Sequence, residues 1–223
     1  MDALDYESVN IFNWQEEAAG MISQMEFVRR VDVQSETIEK YIREGKLLPD
    51  LVVPMSDSRK FCYFKEETLL DAAAKNGWQL IDDSNRKDQF MQMVKDMTMS
   101  YSYKPVLLKA FFTHADKDGR AAISDLTAYF RAYYEGRRER SEIVENSRSL
   151  FCRNSYTDKE IERLILSNPF KRFEDMDMMH HSHTLGLVEM DKSVWKRLTP
   201  ADKEQILKTC DDSLARYFSR NLK

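Results

Sequence analysis

The apolar positions of this chain fall into two blocks, each running from helical spacing to extended spacing, with a polar segment between them. From residue 21, Ile22, Met25, Phe27, Val28 and Val31 mix helical intervals and break at Asp32. Gln34-Ser35-Glu36-Thr37 then opens a second helix, with Ile38, Tyr41 and Ile42 on its inner side and Lys40, Arg43 and Glu44 turned outward. Gly45 predicts a left-handed stop. Beyond Leu47-Leu48-Pro49, two extended runs at 51–53 and 60–64 flank a polar turn at 55–59. Helix, turn, helix and β-ribbon in that order predict a winged helix-turn-helix over residues 21–82.

The second block follows a polar linker beginning at Asp82-Asp83-Ser84 and a helical stripe of Phe90, Met91, Met93, Val94 and Met97, so 83–100 is read as a helical linker. Pro105 suits a helix N-terminus, with Val106, Leu107, Ala110 and Phe111 following on one side. Asp118-Gly119 predicts a turn, 121–123 a brief strand, and Ser124 or Asp125 the cap of a helix over 126–137. Thr157 with Glu160 has the form of a capping box for a helix that Asn168-Pro169 ends. Residues 187–190 and 193–195, separated by Asp191-Lys192, predict a β-hairpin, and 200–218 a terminal helix. The expected fold is therefore mainly α (α+β), with two winged-helix domains, 21–82 and 101–223, carrying short β-hairpin wings. An acidic arm at 1–20 precedes them, which also reads as the seam where a longer protein was divided. Its apolar cluster is Ile11, Phe12 and Trp14.

Composition narrows the functional classes. The formal net charge is −4 over 223 residues, so any contact with a polyanion must be a local patch. No apolar run is long enough to span a bilayer, and no basic-then-apolar leader is present; a cytoplasmic protein without membrane partners is expected. Three widely spaced cysteines, Cys62, Cys152 and Cys210, suggest reduced thiols.

The segment VDVQSETIEKYIREGKLLPD, followed by YFKEETL, resembles the DNA-binding head of MerR-type regulators and the related excisionases. The matching positions are Thr37, Ile38, Tyr41, Glu44, Gly45, Leu47, Leu48 and Pro49, then Tyr63, Glu66, Glu67 and Leu69, about a quarter of the chain. The resemblance implies double-stranded DNA as partner, with Gln34, Ser35 and Thr37 at the major groove, Lys40 and Arg43 near phosphates, and Tyr41 of the matched motif counted with them as a DNA-binding position. Those domains usually carry an arginine two residues before the wing tyrosine. Phe61 stands there in this chain, and Arg59 and Lys60 would take over its backbone contact. Residues from about 101 onward, through SYKPVLLKAFF, DGRAAISDLTAYFRAYYEGR and ILSNPFKRFEDM, resemble a module near the C-termini of bacterial superfamily-2 helicases and restriction or phage-defence proteins. No G-x-x-x-x-G-K-[ST] phosphate loop or Asp-Glu helicase signature occurs in the chain, so the resemblance implies an accessory or targeting role.

Residue chemistry leaves two classes open. From Arg29 to Lys65 there are eight basic and six acidic side chains, a small excess for a DNA binder. The alternative is a docking adaptor whose winged helices bind a protein partner. In the second block, the arginine-rich run of Arg137, Arg138 and Arg140 supplies candidate phosphate contacts, although Glu135, Glu139 and Glu142 interleave with it. The His180-His181-Ser182-His183 cluster, after Asp175 and Asp177, lacks a spaced second pair of metal ligands and reads as a polar helix end. His114-Ala-Asp116-Lys-Asp118-Gly119 departs from a calcium loop at the first and last ligand positions and reads as a turn. No catalytic constellation, metal or cofactor is expected.

Overall fold

The computed structural model describes residues 13–56 and 59–220. The chain divides between Ile81 and Asp82 into two units, each with its own core. It is mainly α with some β: helices dominate, and each unit holds one small antiparallel sheet of three strands.

In the first unit, α1 (Asn13–Glu17) precedes β1 (Ile22–Ser23), α2 (Gln24–Arg29), α3 (Ser35–Arg43), the ribbon β2 (Leu51–Ser56) and β3 (Arg59–Phe64), and α4 (Glu66–Asn76). Ser23 caps α2 by accepting a hydrogen bond from the Glu26 N–H at 3.1 Å. The break foreseen at Asp32 is a pinned turn. Its N–H donates to Gln79 O at 3.1 Å, its Oδ1 accepts from the Gln79 N–H at 2.8 Å, and Val31 bridges to Leu80. Phe27, Val31, Ile38, Phe64 and Leu69 are fully buried, and Phe27 packs on Phe64 at 4.8 Å between centroids. The sheet order is β1-β3-β2, with Ile22 opposite Phe64 and Val53 opposite Phe61. Gly45, at φ +68°, turns the chain after α3, and the freed Tyr41 carbonyl accepts from the Lys46 and Leu47 N–H groups.

The acidic arm before Asn13 lies outside the described residues; Trp14, in α1, packs against Tyr63 at 6.0 Å. α4 is 11 residues long and is closed by Gly77 in the left-handed conformation, at φ +67°.

The second unit begins earlier than the sequence pattern suggests. The expected linker contains α5 (Arg86–Lys95), whose Phe90 and Val94 are buried in the second core, Phe90 against Phe173 at 6.3 Å. There follow α6 (Tyr103–His114), β4 (Arg120–Ala122), α7 (Ile123–Glu139), a 3-10 turn at Leu150–Cys152, α8 (Asp158–Ser167), α9 (Pro169–Asp175), β5 (Met179–Ser182), β6 (Leu187–Met190), α10 (Lys192–Trp195) and α11 (Pro200–Arg220). The sheet order is β4-β6-β5, again with the last strand central.

Three local expectations are corrected, and the stop at Asn168-Pro169 stands with a new helix beginning there. β6 pairs with β5, not with residues 193–195, because Asp191 caps α10 by accepting from the Ser193 N–H at 2.9 Å and turns that segment helical. His180 and His181 therefore lie in β5 and His183 in the turn after it, rather than at a helix end; the His181 and His183 rings are 4.3 Å apart, and His180 alternates to the other face of the strand. α7 starts at Ile123, ahead of Ser124 and Asp125, since the Ile123 N–H is already satisfied by Gly186 O at 2.9 Å. Pro169 ends α8 only to start α9 as its first residue. The Thr157–Glu160 capping box forms as its spacing predicts.

The turn before β4 is held by Asp116, whose Oδ1 accepts from the Asp118 and Arg120 N–H groups at 2.8 and 3.0 Å. Gly119 there has φ +80°, and a Cβ added to it would lie 2.7 Å from the Trp195 ring. That ring is itself fixed by its Nε1–H donating to Lys117 O at 2.9 Å, with Lys203 Nζ over it at 3.6 Å. Gly119→Ala is expected to destabilise the second unit by about 2 kcal/mol through left-handed strain and overpacking. Chemical denaturation of the full chain checks this, and an unchanged midpoint would contradict it.

Candidate nucleic-acid interface

The candidate surface of the first unit is the opening turn and outer side of α3. Gln34 occupies the N-cap position with extended backbone (ψ 149°), yet its side chain makes no capping hydrogen bond and is exposed. Ser35 and Thr37 are half-buried, Ser35 Oγ lying 3.3 Å from Glu36 Oε2. Lys40 and Arg43 are exposed one turn further on, among Glu36, Glu39 and Glu44. Glu44 takes up two of the neighbouring cations, with Lys46 Nζ at 2.7 Å and Lys40 Nζ at 3.9 Å. Arg43 forms no salt bridge among the described residues. Tyr41 is half-buried, its ring 5.4 Å from Trp78, with Lys46 Nζ 5.6 Å from its centroid.

On the ribbon, Lys60 is exposed and forms no salt bridge among the described residues, while the side chain of Arg59 lies outside the description. The ribbon and the arm leading to it also expose apolar side chains, namely Leu48 (70%), Val52 (44%), Met55 (54%) and Phe61 (50%). Phe61 thus stands out at the position where the resembled family places arginine.

Two ties orient α3 and the ribbon. The Arg30 guanidinium donates to both Glu66 oxygens at 2.5 and 2.6 Å, joining the end of α2 to the first turn of α4. Asp50 Oδ2 accepts from the Lys65 N–H at 2.8 Å and the Thr68 hydroxyl at 2.7 Å, closing the N-terminus of α4. The hydrogen bond from Arg30 holds the Glu66 carboxyl below its ordinary range. Burial works against the charge of Asp50, but the Lys65 and Thr68 hydrogen bonds together outweigh it and lower its pKa too. Carboxyls with depressed folded-state values stabilise above the unfolded pKa, and that stability is lost as pH falls through the folded value. The first unit should therefore hold a constant thermal midpoint above about pH 5 and lose it below about pH 4. Asp50→Asn should remove part of that slope. Melting curves identical in pH dependence for both proteins would contradict the assignment.

In the second unit the arginine run proves internally committed. Arg137 Nε donates to Ile143 O at 2.7 Å, pairs with Glu142 at 3.0 Å and stacks 3.5 Å over Phe218. Arg138 donates to Phe151 O at 2.5 Å and Arg153 O at 3.2 Å. Arg140 donates to Glu142 at 2.8 and 3.3 Å. These guanidiniums brace the loop after α7, and the phosphate contacts expected of them are not supported by their geometry.

Two clefts flank α8. One, of about 540 Å³, is lined by Lys159 and Arg163 opposite Glu162 and Glu174, with His181 and His183. Burial, then the neighbouring His183, lowers the His181 pKa, and His181 Nε2 has no hydrogen-bond partner among the described residues. The charges there balance. The other, of about 360 Å³, has Arg148, Arg153 and Arg163 around Tyr101 and Tyr103, with Glu160 as its one carboxylate. The sequence pattern does not single out these arginines, which lie on two separate segments of the chain.

Among the described residues no helix is long and apolar enough to cross a membrane, and no group of three or more His, Cys, Asp or Glu is placed to hold a metal ion. Comparison with protein-family models, with curated proteins and with solved structures gave no significant match.

Proposed function

We propose that the first unit is a winged helix-turn-helix head that binds duplex DNA, with α3 in the major groove and the β2–β3 ribbon against the backbone. The observation that carries this reading is the open first turn of α3, where Gln34 is exposed and not consumed as a cap, and Ser35 and Thr37 reach the surface beside it. Support also comes from the order α2, turn, α3, ribbon and from the central position of β3. In this reading Gln34, Ser35 and Thr37 meet base edges, and Arg43, Lys60, Lys40 and Arg59 meet phosphates. The protein then acts as a regulator or as the DNA-reading part of a larger bacterial or phage assembly, with motor chemistry supplied by another domain or chain.

Residues 1–81 carry 15 acidic and 9 basic side chains, so long-range attraction to DNA is weak and binding depends on contacts made at the site. The test is a fluorescence-anisotropy titration of the full chain against duplex DNA recovered from a random-sequence pool, repeated across salt concentrations. The logarithm of the binding constant should fall with a slope of about 0.9 per phosphate contact.

A second reading, a head that docks on a protein partner, is favoured by the exposed Leu48, Val52, Met55 and Phe61. Absence of duplex binding at low salt would favour it over the first.

A further inference from the structure

We propose that the smaller cleft beside α8 binds one nucleotide of a single-stranded nucleic acid, its phosphate among Arg148, Arg153 and Arg163 and its base against Tyr101. This site lies wholly in the second unit and does not rest on the reading of α3. Arg148 and Arg163 form no salt bridge among the described residues and are exposed, and Arg153 reaches Glu160 only at 3.5 Å. Glu160 is itself taken up by the helix cap, its Oε2 accepting from the Thr157 N–H at 2.9 Å and hydroxyl at 3.0 Å. The cleft thus presents three guanidiniums against one occupied carboxylate.

Its walls are already set. The loop carrying Arg148 and Arg153 is fixed by Ser149, which shares a 2.7 Å hydrogen bond with the buried Tyr103 hydroxyl and caps the 3-10 turn at 3.1 Å, and by Arg138, which holds the Phe151 and Arg153 carbonyls. Tyr101 is half-exposed and stacks on Tyr103, rings 4.9 Å apart and 2° from parallel, so the aromatic platform is backed by the core. The Asn168 side chain, not used as a cap, also lines the cleft and offers an amide to a base edge. At about 360 Å³ the space is at the small end of ligand clefts, room for one nucleotide and too little for a duplex to enter. An aromatic platform within a ring of arginines is the combination that holds a single strand, since every base offers a stacking surface. A phosphorylated peptide would engage the arginines but leave the tyrosine unused.

The experiment is anisotropy of fluorescein-labelled dT12 with the full-length protein, with unlabelled dT12, a 12-base-pair duplex and thymidine monophosphate as competitors. Saturable binding is expected. It should weaken at least ten-fold in Arg148→Glu/Arg163→Glu and on the order of ten-fold in Tyr101→Leu. Lys75→Glu, an exposed charge reversal outside both proposed interfaces, should leave it unchanged, which controls for the loss of positive charge as such. Displacement by thymidine monophosphate as effective as by dT12 assigns the same cleft to free nucleotides. Unaltered dT12 affinity in the double arginine variant, or a loss with it that Tyr101→Leu does not share, would overturn the proposal. So would failure of both dT12 and thymidine monophosphate to bind.

Discussion

Glu145→Ala is expected to destabilise the second unit by about 4 kcal/mol and to lower its thermal midpoint by roughly 10 °C. Glu145 is 6% exposed, in the loop after α7, and it gathers the donors of three elements. Its Oε2 accepts from the Ser102 N–H at 2.9 Å and from the Ser102 hydroxyl; its Oε1 accepts from the Tyr217 hydroxyl of α11 and from the Asn146 N–H at 2.9 Å. Because the Ser102 proton points to Glu145, the Tyr134 hydroxyl of α7 donates to Ser102 Oγ at 2.7 Å. Burial, then the nearby Glu145 carboxylate, raises the Tyr134 pKa well above its ordinary value, so that donor keeps its proton. Alanine would strand the Ser102 donors away from water and leave the Tyr217 hydroxyl only the Ser100 carbonyl at 3.3 Å, with each lost partner costing about 1–3 kcal/mol. Glu145→Gln preserves volume but sets an NH₂ group among donors and should cost about 2 kcal/mol. Thermal and denaturant unfolding measure both, and a loss below about 1 kcal/mol for alanine would show that the network contributes little.

The second large effect concerns the head. Reversing Lys40, Arg43, Arg59 and Lys60 together to glutamate should weaken duplex binding at least a hundred-fold, on the order of 3 kcal/mol, and flatten its salt dependence. Folding should change little, because Lys60 and Arg43 make no salt bridge among the described residues and the Lys40–Glu44 contact is 3.9 Å in an exposed helix pair. Circular dichroism controls for folding, and anisotropy on the recovered duplex measures affinity. Binding within three-fold of the unaltered protein would remove these side chains from the interface. Exchanging Phe61 for serine separates the docking reading, since a protein-binding ribbon loses most from the loss of its largest exposed apolar side chain.

What could be read in the sequence was what local chemistry decides. The Thr157–Glu160 box and the stop at Gly45 each involve residues a few positions apart, and each stands where the pattern placed it; the 51–64 ribbon forms too, with strands that run further into the expected 55–59 turn. The hairpin of the second unit was misplaced because Asp191 suits a turn and a helix cap equally well, and the choice fell to the pairing of β5 with β6. The apolar stripe from Phe90 to Met97 marks 86–95 as a helix with a face to bury but does not say which core takes it; Phe90 meeting Phe173 decides that. The candidate sites divide in the same way. Gln34 to Arg43 could be placed on α3 from spacing alone. The use of each arginine between 131 and 163 depends on which carbonyl or carboxylate lies within reach: Arg138 braces two carbonyls, while Arg163 is left to line a cleft. Glu145 carried no sequence signal at all, one acid among many in a polar loop until Ser102 and Tyr217 close on it.

The most direct measurement of the central claim is selection of duplexes from a random-sequence pool by the full chain and, in parallel, by Gln34→Ala/Ser35→Ala/Thr37→Ala. If α3 reads base edges, the unaltered protein enriches a short motif, and the triple variant, folded and with its cations intact, loses that enrichment while keeping residual salt-sensitive binding. Enrichment of the same motif by both proteins, or of none by either, would contradict the assignment of α3 as the reading helix.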